Sequence, residues 1–294
     1  MIPGNYSKIS LFGIEMNPPR GFSVGGFELR LYGMMIALGL VLAVVYGLRQ
    51  KKRYGLSEDQ ILDGVLIIVP ISILCARLYY CIFEWASYKS NPISILYIWE
   101  GGLAIYGAVI GAVLSAIIYC RIRKIKIGAA LDLTVLGFLI GQSIGRWGNF
   151  FNREAVGALA EGSKLFTRMG LFNQITGKYE YFHPTFLYES VWNAIGLLGL
   201  HLFSKRRKYD GQIALLYCAW YGLGRAMIEG LRVDSLYIGP FRVSQLLAAV
   251  TCVAAVTVLI ILHFRPHDPA KLYVNQVAAK ETEKTEEEPT EEAN

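Results

Sequence analysis

The sequence predicts an all-α polytopic membrane protein with seven transmembrane helices, the N-terminus outside, the C-terminus cytoplasmic and a small extracytoplasmic head. Three observations lead there. The 294 residues are 54% hydrophobic and 18% charged, with a mean hydropathy of +0.38, far from the averages of soluble domains. Seven segments approach the roughly 20 apolar residues that a helix needs to cross a bilayer, where lipid offers its backbone no hydrogen-bond partner. Basic residues collect in alternate connections, as cytoplasmic loops require.

Taken in order, the spans run from Leu31 to Leu48, Gly64 to Phe83, Gly101 to Cys120, Gly128 to Phe151, Thr185 to Ser204, Gly211 to Leu231 and Val243 to Phe264. The first, third and seventh contain no Asp, Glu, Lys or Arg, whereas the fourth and fifth carry polar interruptions. The basic connections are Arg49 to Arg53, Arg121 to Lys126 and Lys205 to Lys208, which fixes the orientation. The residues before the first span lack the basic start and short apolar core of a cleavable signal, so the first span itself is expected to direct insertion. Residues 1–264 are expected to form the seven-span domain, with 152–184 as its head because that connection is too long to be structureless. Residues 265–294, with 4 basic and 8 acidic side chains, read as a disordered acidic cytoplasmic tail. The remainder then carries 25 basic against 15 acidic residues, and the net charge of +6 is a matter of position along the chain rather than a nucleic-acid signature.

The cysteines Cys75, Cys81, Cys120, Cys218 and Cys252 lie singly in apolar runs and read as small buried hydrophobes. The histidines are dispersed and no acidic cluster has ligand spacing, so no metal or other cofactor is expected.

An ionised side chain inside a span costs at least about 2.5 to 3.5 kcal/mol and is rare unless it faces protein or water. Six occur here: Arg77, Asp132, Arg146, Glu189, Arg225 and Glu229. All but Asp132 fall in the outer halves of their spans. Three arginines against two acids leave one positive charge over, and a lipid phosphate, which Arg can grip with two nitrogens, is the simplest partner. The plainer reading is a buried ion-pair network joining helices. Tyr32, Tyr106 and Tyr221 sit at the same level, either as interfacial tyrosines or as part of a shared pocket, with Tyr221 four residues before Arg225 on one helix face.

The stretch Gly145 to Gly157, GRWGNFFNREAVG, is the most informative. Gly145 and Gly148 clear space around Arg146, while Asn149, Asn152 and Glu154 supply donors and acceptors where the helix breaks. His183 opens a second cluster, HPTFLYE, with proline at a helix entry. Gly141, Ser143 and Gly145 spell the GxSxG of serine hydrolases, but inside an apolar helix rather than at a strand-to-helix turn, and small residues at this spacing serve close helix packing.

GRWGNFFNREAVG resembles the signature of the bacterial prolipoprotein diacylglyceryl transferases. The likeness extends through LRLYG at Leu29, WEGGLAIYG at Trp99, HPTFLYE at His183 and YGLGRAMIEGLR at Tyr221. It implies a multi-pass enzyme of the bacterial plasma membrane that moves a diacylglyceryl group from phosphatidylglycerol to the thiol of the lipobox cysteine of a prolipoprotein signal peptide, releasing glycerol phosphate. Membrane lipid and the exported precursor are then its partners, and nucleic acid is not. By the same resemblance Arg146 and Arg225 match essential arginines, with Tyr32, Asn149, Glu154, Gly157, Tyr221, Glu229 and Arg232 at other functional positions. The chain departs from many members in carrying Tyr106, followed by Gly107 and Ala108, where histidine and two glycines are common. The thiol's proton acceptor therefore stays open among Tyr106, Glu154 and Glu229. A transporter or flippase for an anionic lipid or solute would use the same buried arginines, but such folds often show paired repeats and helices interrupted near the midplane.

Overall fold

The computed structural model describes residues 6–25, 27–162, 168–233 and 236–287. In chain order they form β1 (Tyr6–Leu11), β2 (Ile14–Met16), β3 (Gly21–Val24), β4 (Phe27–Arg30), α1 (Leu31–Tyr54), α2 (Glu58–Phe83), α3 (Trp85–Tyr88), α4 (Ile105–Ile122), α5 (Ile127–Asn152), β5 (Met169–Asn173), β6 (Lys178–Phe182), α6 (Thr185–Phe203), α7 (Gln212–Glu229), β7 (Tyr237–Ile238), β8 (Phe241–Arg242), α8 (Val243–His263) and α9 (Tyr273–Glu287). Among the described residues, seven helices of 18 to 26 residues follow the seven apolar segments. Five of them, α1, α2, α4, α5 and α8, are long and apolar enough to cross a membrane. The polar residues Glu189, Ser190 and Asn193 on α6, and Arg225 and Glu229 on α7, lower the hydropathy of the other two.

The chain divides into two compact units. The first comprises residues 1–46 and 134–268. It corrects the expectation of an all-α fold, because it holds a four-stranded antiparallel sheet in the order β2-β1-β5-β6. Strand β1 pairs with β5 through Ile9↔Leu171 and Leu11↔Met169, so the N-terminal residues are built into the head expected at 152–184. Ile9, Leu11, Met169, Leu171 and Phe182 from the sheet pack with Phe150 and Phe186 from the facing ends of α5 and α6. These buried apolar residues stabilise the sheet by burial of area. The Tyr6 hydroxyl donates to Glu180 at 2.8 Å; burial, reinforced by that carboxylate, pushes the phenol up to about 12.

Two interlocks join the helices of this unit. The Ser190 hydroxyl on α6 donates to the Ser143 carbonyl on α5 at 2.8 Å, and Ser143 returns a bond to the Ser190 carbonyl at 2.9 Å. This is the role of the serine in the GxSxG string. Trp192 and Trp220 stack at 4.3 Å with planes 16° apart. Each indole N–H donates to the other's carbonyl at 3.0 Å. Each indole also fills a glycine notch of the opposing helix, Trp220 against Gly196 and Trp192 against Gly224, so α6 and α7 meet in one register.

The second unit comprises residues 47–133 and 269–294. A capping box, Ser57 with Gln60, starts α2, and α4 packs against α2 where Gly107 and Gly111 meet the Cys75 turn. Arg77, read from sequence as a third phosphate-facing guanidinium, is corrected here. It is buried and donates to the carbonyls of Ser94, Ile95, Tyr97, Gly101 and Gly102 at 2.6 to 3.3 Å. Gly101 and Gly102 have φ of +94° and +68°, which turns both carbonyls toward the guanidinium, and a Cβ on Gly102 would lie 2.5 Å from Arg77 Nη1. Arg77→Met strips the cation from this ring of carbonyls. The expected cost is about 3 kcal/mol, read as a lower melting midpoint in detergent and faster proteolysis within residues 91–104.

The tail also departs from expectation over part of its length. Residues 273–287 are helical, with Tyr273 and Val274 seated against Gly55 and the Lys126 ammonium donating to the Lys271 carbonyl at 2.6 Å. The Tyr273 ring and the Val274 backbone lie against Gly55, at the start of a segment rich in the helix formers Ala, Glu and Lys. The last acidic run, from Glu288, lies outside the described residues.

Candidate active site

The two interlocks aim four charged helix positions at one another. Ser190 ties α6 to α5 and Trp192 ties α6 to α7, and Glu189 lies beside them on α6. Its carboxylate meets Arg146 of α5 at 2.5 Å and Arg225 of α7 at 2.7 Å. Arg225 also reaches Glu229, one turn on, at 2.6 Å. Arg232 completes the cluster, 3.7 Å from Glu189 and 3.9 Å from Glu229. Its backbone is held there by an antiparallel bridge to Gly157 and by the Ala158 N–H, which donates to Leu231 at 2.7 Å. A Cβ on Gly157 would lie 2.8 Å from the His183 Cβ, so only glycine lets these segments approach.

Three guanidiniums thus face two carboxylates. The carboxylates are the enclosed partners, with side chains 4% and 2% exposed, while Arg146, Arg225 and Arg232 keep 24%, 17% and 12%. The acids hold the arginines and leave part of each guanidinium side chain exposed. Arg242 lies alongside and donates to the Glu229 carbonyl and, through Nε, to the Tyr237 hydroxyl at 2.8 Å.

The helix break expected after Asn149 is present. Arg153 and Ala155 take φ of +57° and +54°, a conformation that L residues adopt at a cost. Thr185 Oγ1 holds the Ala155 carbonyl at 2.6 Å. Arg153 is fixed by Asn17 and Pro18, and burial, then the nearby Arg20, lowers its guanidinium from the ordinary value. Asn149 and Asn152 both donate to Glu154 at 3.2 Å, so these three form a subcluster three to eight positions beyond Arg146. The Tyr32 ring packs on Gly148, where a Cβ would sit 2.6 Å from it. Tyr221 stacks on Tyr217 at 5.6 Å, and Gln142 of α5 donates to Tyr217 at 2.9 Å. His183 Nδ1 lies 3.2 Å from the Tyr188 hydroxyl, and its carbonyl accepts from Gly157 at 2.9 Å.

Arg146, Arg225, Glu229 and Arg232 therefore form one cluster, with Tyr32, Asn149, Glu154, Gly157, Tyr221 and His183 on the same unit. Tyr106 belongs to the second unit, half exposed on α4 beside Tyr79. Sequence reasoning counted Glu189 among the intramembrane charges but gave it no role, although it is the centre of the cluster. The available signal was its place beside Ser190 and Trp192 in an otherwise apolar helix. Among the described residues, no group of three or more His, Cys, Asp or Glu is arranged to hold a metal ion.

A family profile described as prolipoprotein diacylglyceryl transferase matches residues 19–261. Proteins named phosphatidylglycerol–prolipoprotein diacylglyceryl transferase are similar over most of their length. That of Clostridium novyi (strain NT) is 42% identical over 250 residues, covering 83% of this chain and 95% of its own. Those of Listeria monocytogenes serotype 4b and Limosilactobacillus reuteri (strain DSM 20016) are each 40% identical, covering 87% and 88% of this chain and 94% and 95% of theirs. With a match spanning the arginine cluster and both helix interlocks, the chain belongs to the prolipoprotein diacylglyceryl transferase family.

Proposed function

We propose that the protein transfers the diacylglyceryl group of phosphatidylglycerol to the lipobox cysteine of exported prolipoproteins, the first step of lipoprotein maturation, with Arg146 and Arg225 as its principal catalytic groups. The observation that supports the site assignment is the gathering of the partly exposed Arg146, Arg225 and Arg232 around the enclosed Glu189 and Glu229 on apolar helices, where a lipid phosphate is the available anion.

In the reaction the thiolate sulfur attacks the glycerol carbon bearing the phosphate. A carbon–sulfur bond forms, the carbon–oxygen bond breaks with its electron pair on oxygen, and glycerol phosphate departs. The phosphate goes from a singly charged diester to a monoester carrying nearly two charges. Arg146 and Arg225 meet that developing charge, a contribution of about 3 to 4 kcal/mol for each well-placed group. A free thiol has a pKa of about 8.5, so neighbouring guanidinium charge raises the thiolate fraction. One oxygen of Glu229, Oε2, lies against Arg225 and Arg232, and one oxygen of Glu154, Oε1, accepts from two amides. Tyr106, Glu154 and Glu229 remain the three candidates for the thiol's proton acceptor, and the pH dependence of transfer in a variant of each distinguishes them. Tyr32, Asn149, Tyr221 and His183 orient the lipid head and the peptide.

The domain runs over residues 1–264 and crosses the bacterial inner membrane seven times. Its N-terminus and the head of residues 152–184 lie outside and its C-terminus inside. The alternating basic connections support this orientation, and so does the facing of the polar residues of α6 and α7 toward each other. The test is reconstitution with phosphatidylglycerol and a lipobox peptide: a peptide mass raised by one diacylglyceryl group is expected, and anion flux without that product would overturn the reading.

A further inference from the structure

Glu189, Arg146 and Arg225 meet at one level of α6, α5 and α7. Residues four positions apart share a helix face, and one turn farther from the head each helix carries another polar side chain: Asn193 on α6, Gln142 on α5 and Tyr221 on α7. The helices also touch at this second level. Gln142 Nε2 donates to the Tyr217 hydroxyl at 2.9 Å, and Tyr217 stacks on Tyr221 at 5.6 Å. The Trp220 indole of α7 donates to the Trp192 carbonyl at 3.0 Å and fills the notch at Gly196, contacts that flank Asn193 along α6.

Asn193 differs from its neighbours in one respect. It is 1% exposed, and its Nδ2 is enclosed with no hydrogen-bond partner among the described residues. Enclosed amide nitrogens are nearly always paired, and one left without an acceptor destabilises the fold, so packing alone favours a small hydrophobe here. The donor lipid offers the missing acceptor. With its phosphate at Arg146 and Arg225, the rest of the lipid runs into the apolar span, and an ester carbonyl lies only a few bonds from the phosphorus, a reach comparable to the ~5.4 Å of one helical turn. An ester carbonyl oxygen accepts and an amide nitrogen donates.

We infer that Asn193 is a substrate-binding residue whose amide donates to an ester carbonyl of the diacylglyceryl group while the arginines hold the phosphate. This rests on the reaction proposed above. Two attachments a turn apart fix the glycerol carbon between them, the atom that the thiolate attacks. The same contact selects acyl-linked over alkyl-linked lipid, because an ether has no carbonyl oxygen and leaves the enclosed amide unpaired.

The experiment uses the full chain in phosphatidylcholine vesicles with a lipobox peptide, the donor being either diacyl phosphatidylglycerol or its dialkyl ether of equal chain length. For the unsubstituted protein, kcat/KM is expected to be about tenfold higher with the diacyl lipid, the worth of one hydrogen bond. Asn193→Leu removes the amide at similar volume. It should lose about that factor with the diacyl lipid and little with the ether, bringing the ratio near one, and its melting midpoint should not fall, since Nδ2 has no protein partner to lose. Asn193→Ser, too short to reach the ester, should give the same ratio and serves if the leucine variant does not fold. Equal use of the two lipids by the unsubstituted protein overturns the inference without any variant. A folded variant that keeps the original ratio, or that loses transfer from both lipids alike, overturns it equally. Absence of transfer from the diacyl lipid by the unsubstituted protein would instead remove the functional reading.

Discussion

Replacing Arg146 or Arg225 by alanine is expected to lower kcat for transfer by roughly 10²- to 10³-fold, the scale on which removing one fixed donor to a developing anion acts. The two variants should differ in stability. Arg146 keeps the most exposed side chain of the three arginines and contacts one carboxylate, so Arg146→Ala should still insert and melt near the unsubstituted protein. Arg225 bridges Glu189 and Glu229. Its removal leaves two enclosed carboxylates short of a partner, at a cost of about 3 to 5 kcal/mol. Arg225→Lys keeps the charge but cannot span both acids, because an ammonium is a point donor and a guanidinium a planar fork. It should recover stability more than activity. Lipid transfer by peptide mass, paired with melting in detergent, separates the two effects, and near-normal transfer in either alanine variant would remove that arginine from the mechanism.

Gly224→Ala is expected to have the next largest effect, although Gly224 carries no side chain. Its Cβ would overlap the Trp192 indole, which cannot swing aside without breaking its bond to the Trp220 carbonyl. Overpacking of this kind costs roughly 1 to 3 kcal/mol. Relief by separating α6 from α7 would draw Glu189 off Arg225, and a displacement near 1 Å at a positioned group lowers rate by about 10²-fold. Trp192→Leu in the Gly224→Ala background should recover part of the melting midpoint. A double-mutant cycle showing no coupling between the two positions would mean that the notch does not set the register.

Hydropathy made the helices legible, because each apolar run is local and its length is fixed by the bilayer. The arginine cluster was also legible in kind, since charge in such a run demands a partner. What could not be read was pairing at a distance. Tyr6–Leu11 has no strand signal strong enough to announce its partner Met169–Asn173, more than 150 residues away, so the sheet was missed. Arg77 looked identical to Arg146 in sequence. The difference is that two left-handed glycines, Gly101 and Gly102, bring carbonyls to one and a carboxylate comes to the other. Arg232, beyond the end of α7, joins Arg146 and Arg225 at Glu189, whereas Arg77 does not. Glu189 was overlooked as a site residue because its meaning depends on the seating of α6 between two neighbours. The order in residues 273–287 depends on the fit of Tyr273 and Val274 against Gly55, which composition does not reveal.

The Trp192–Trp220 stack also gives the protein a built-in spectroscopic reporter. Two nearly parallel indoles this close share their excited states, and their electronic transitions split into a circular-dichroism couplet whose intensity falls steeply as the rings part. The sequence holds five tryptophans, and a stacked pair of this kind would dominate such a signal. Helix seating beside Arg225 and Glu189 can thus be followed optically, without a label, while lipid or peptide is added.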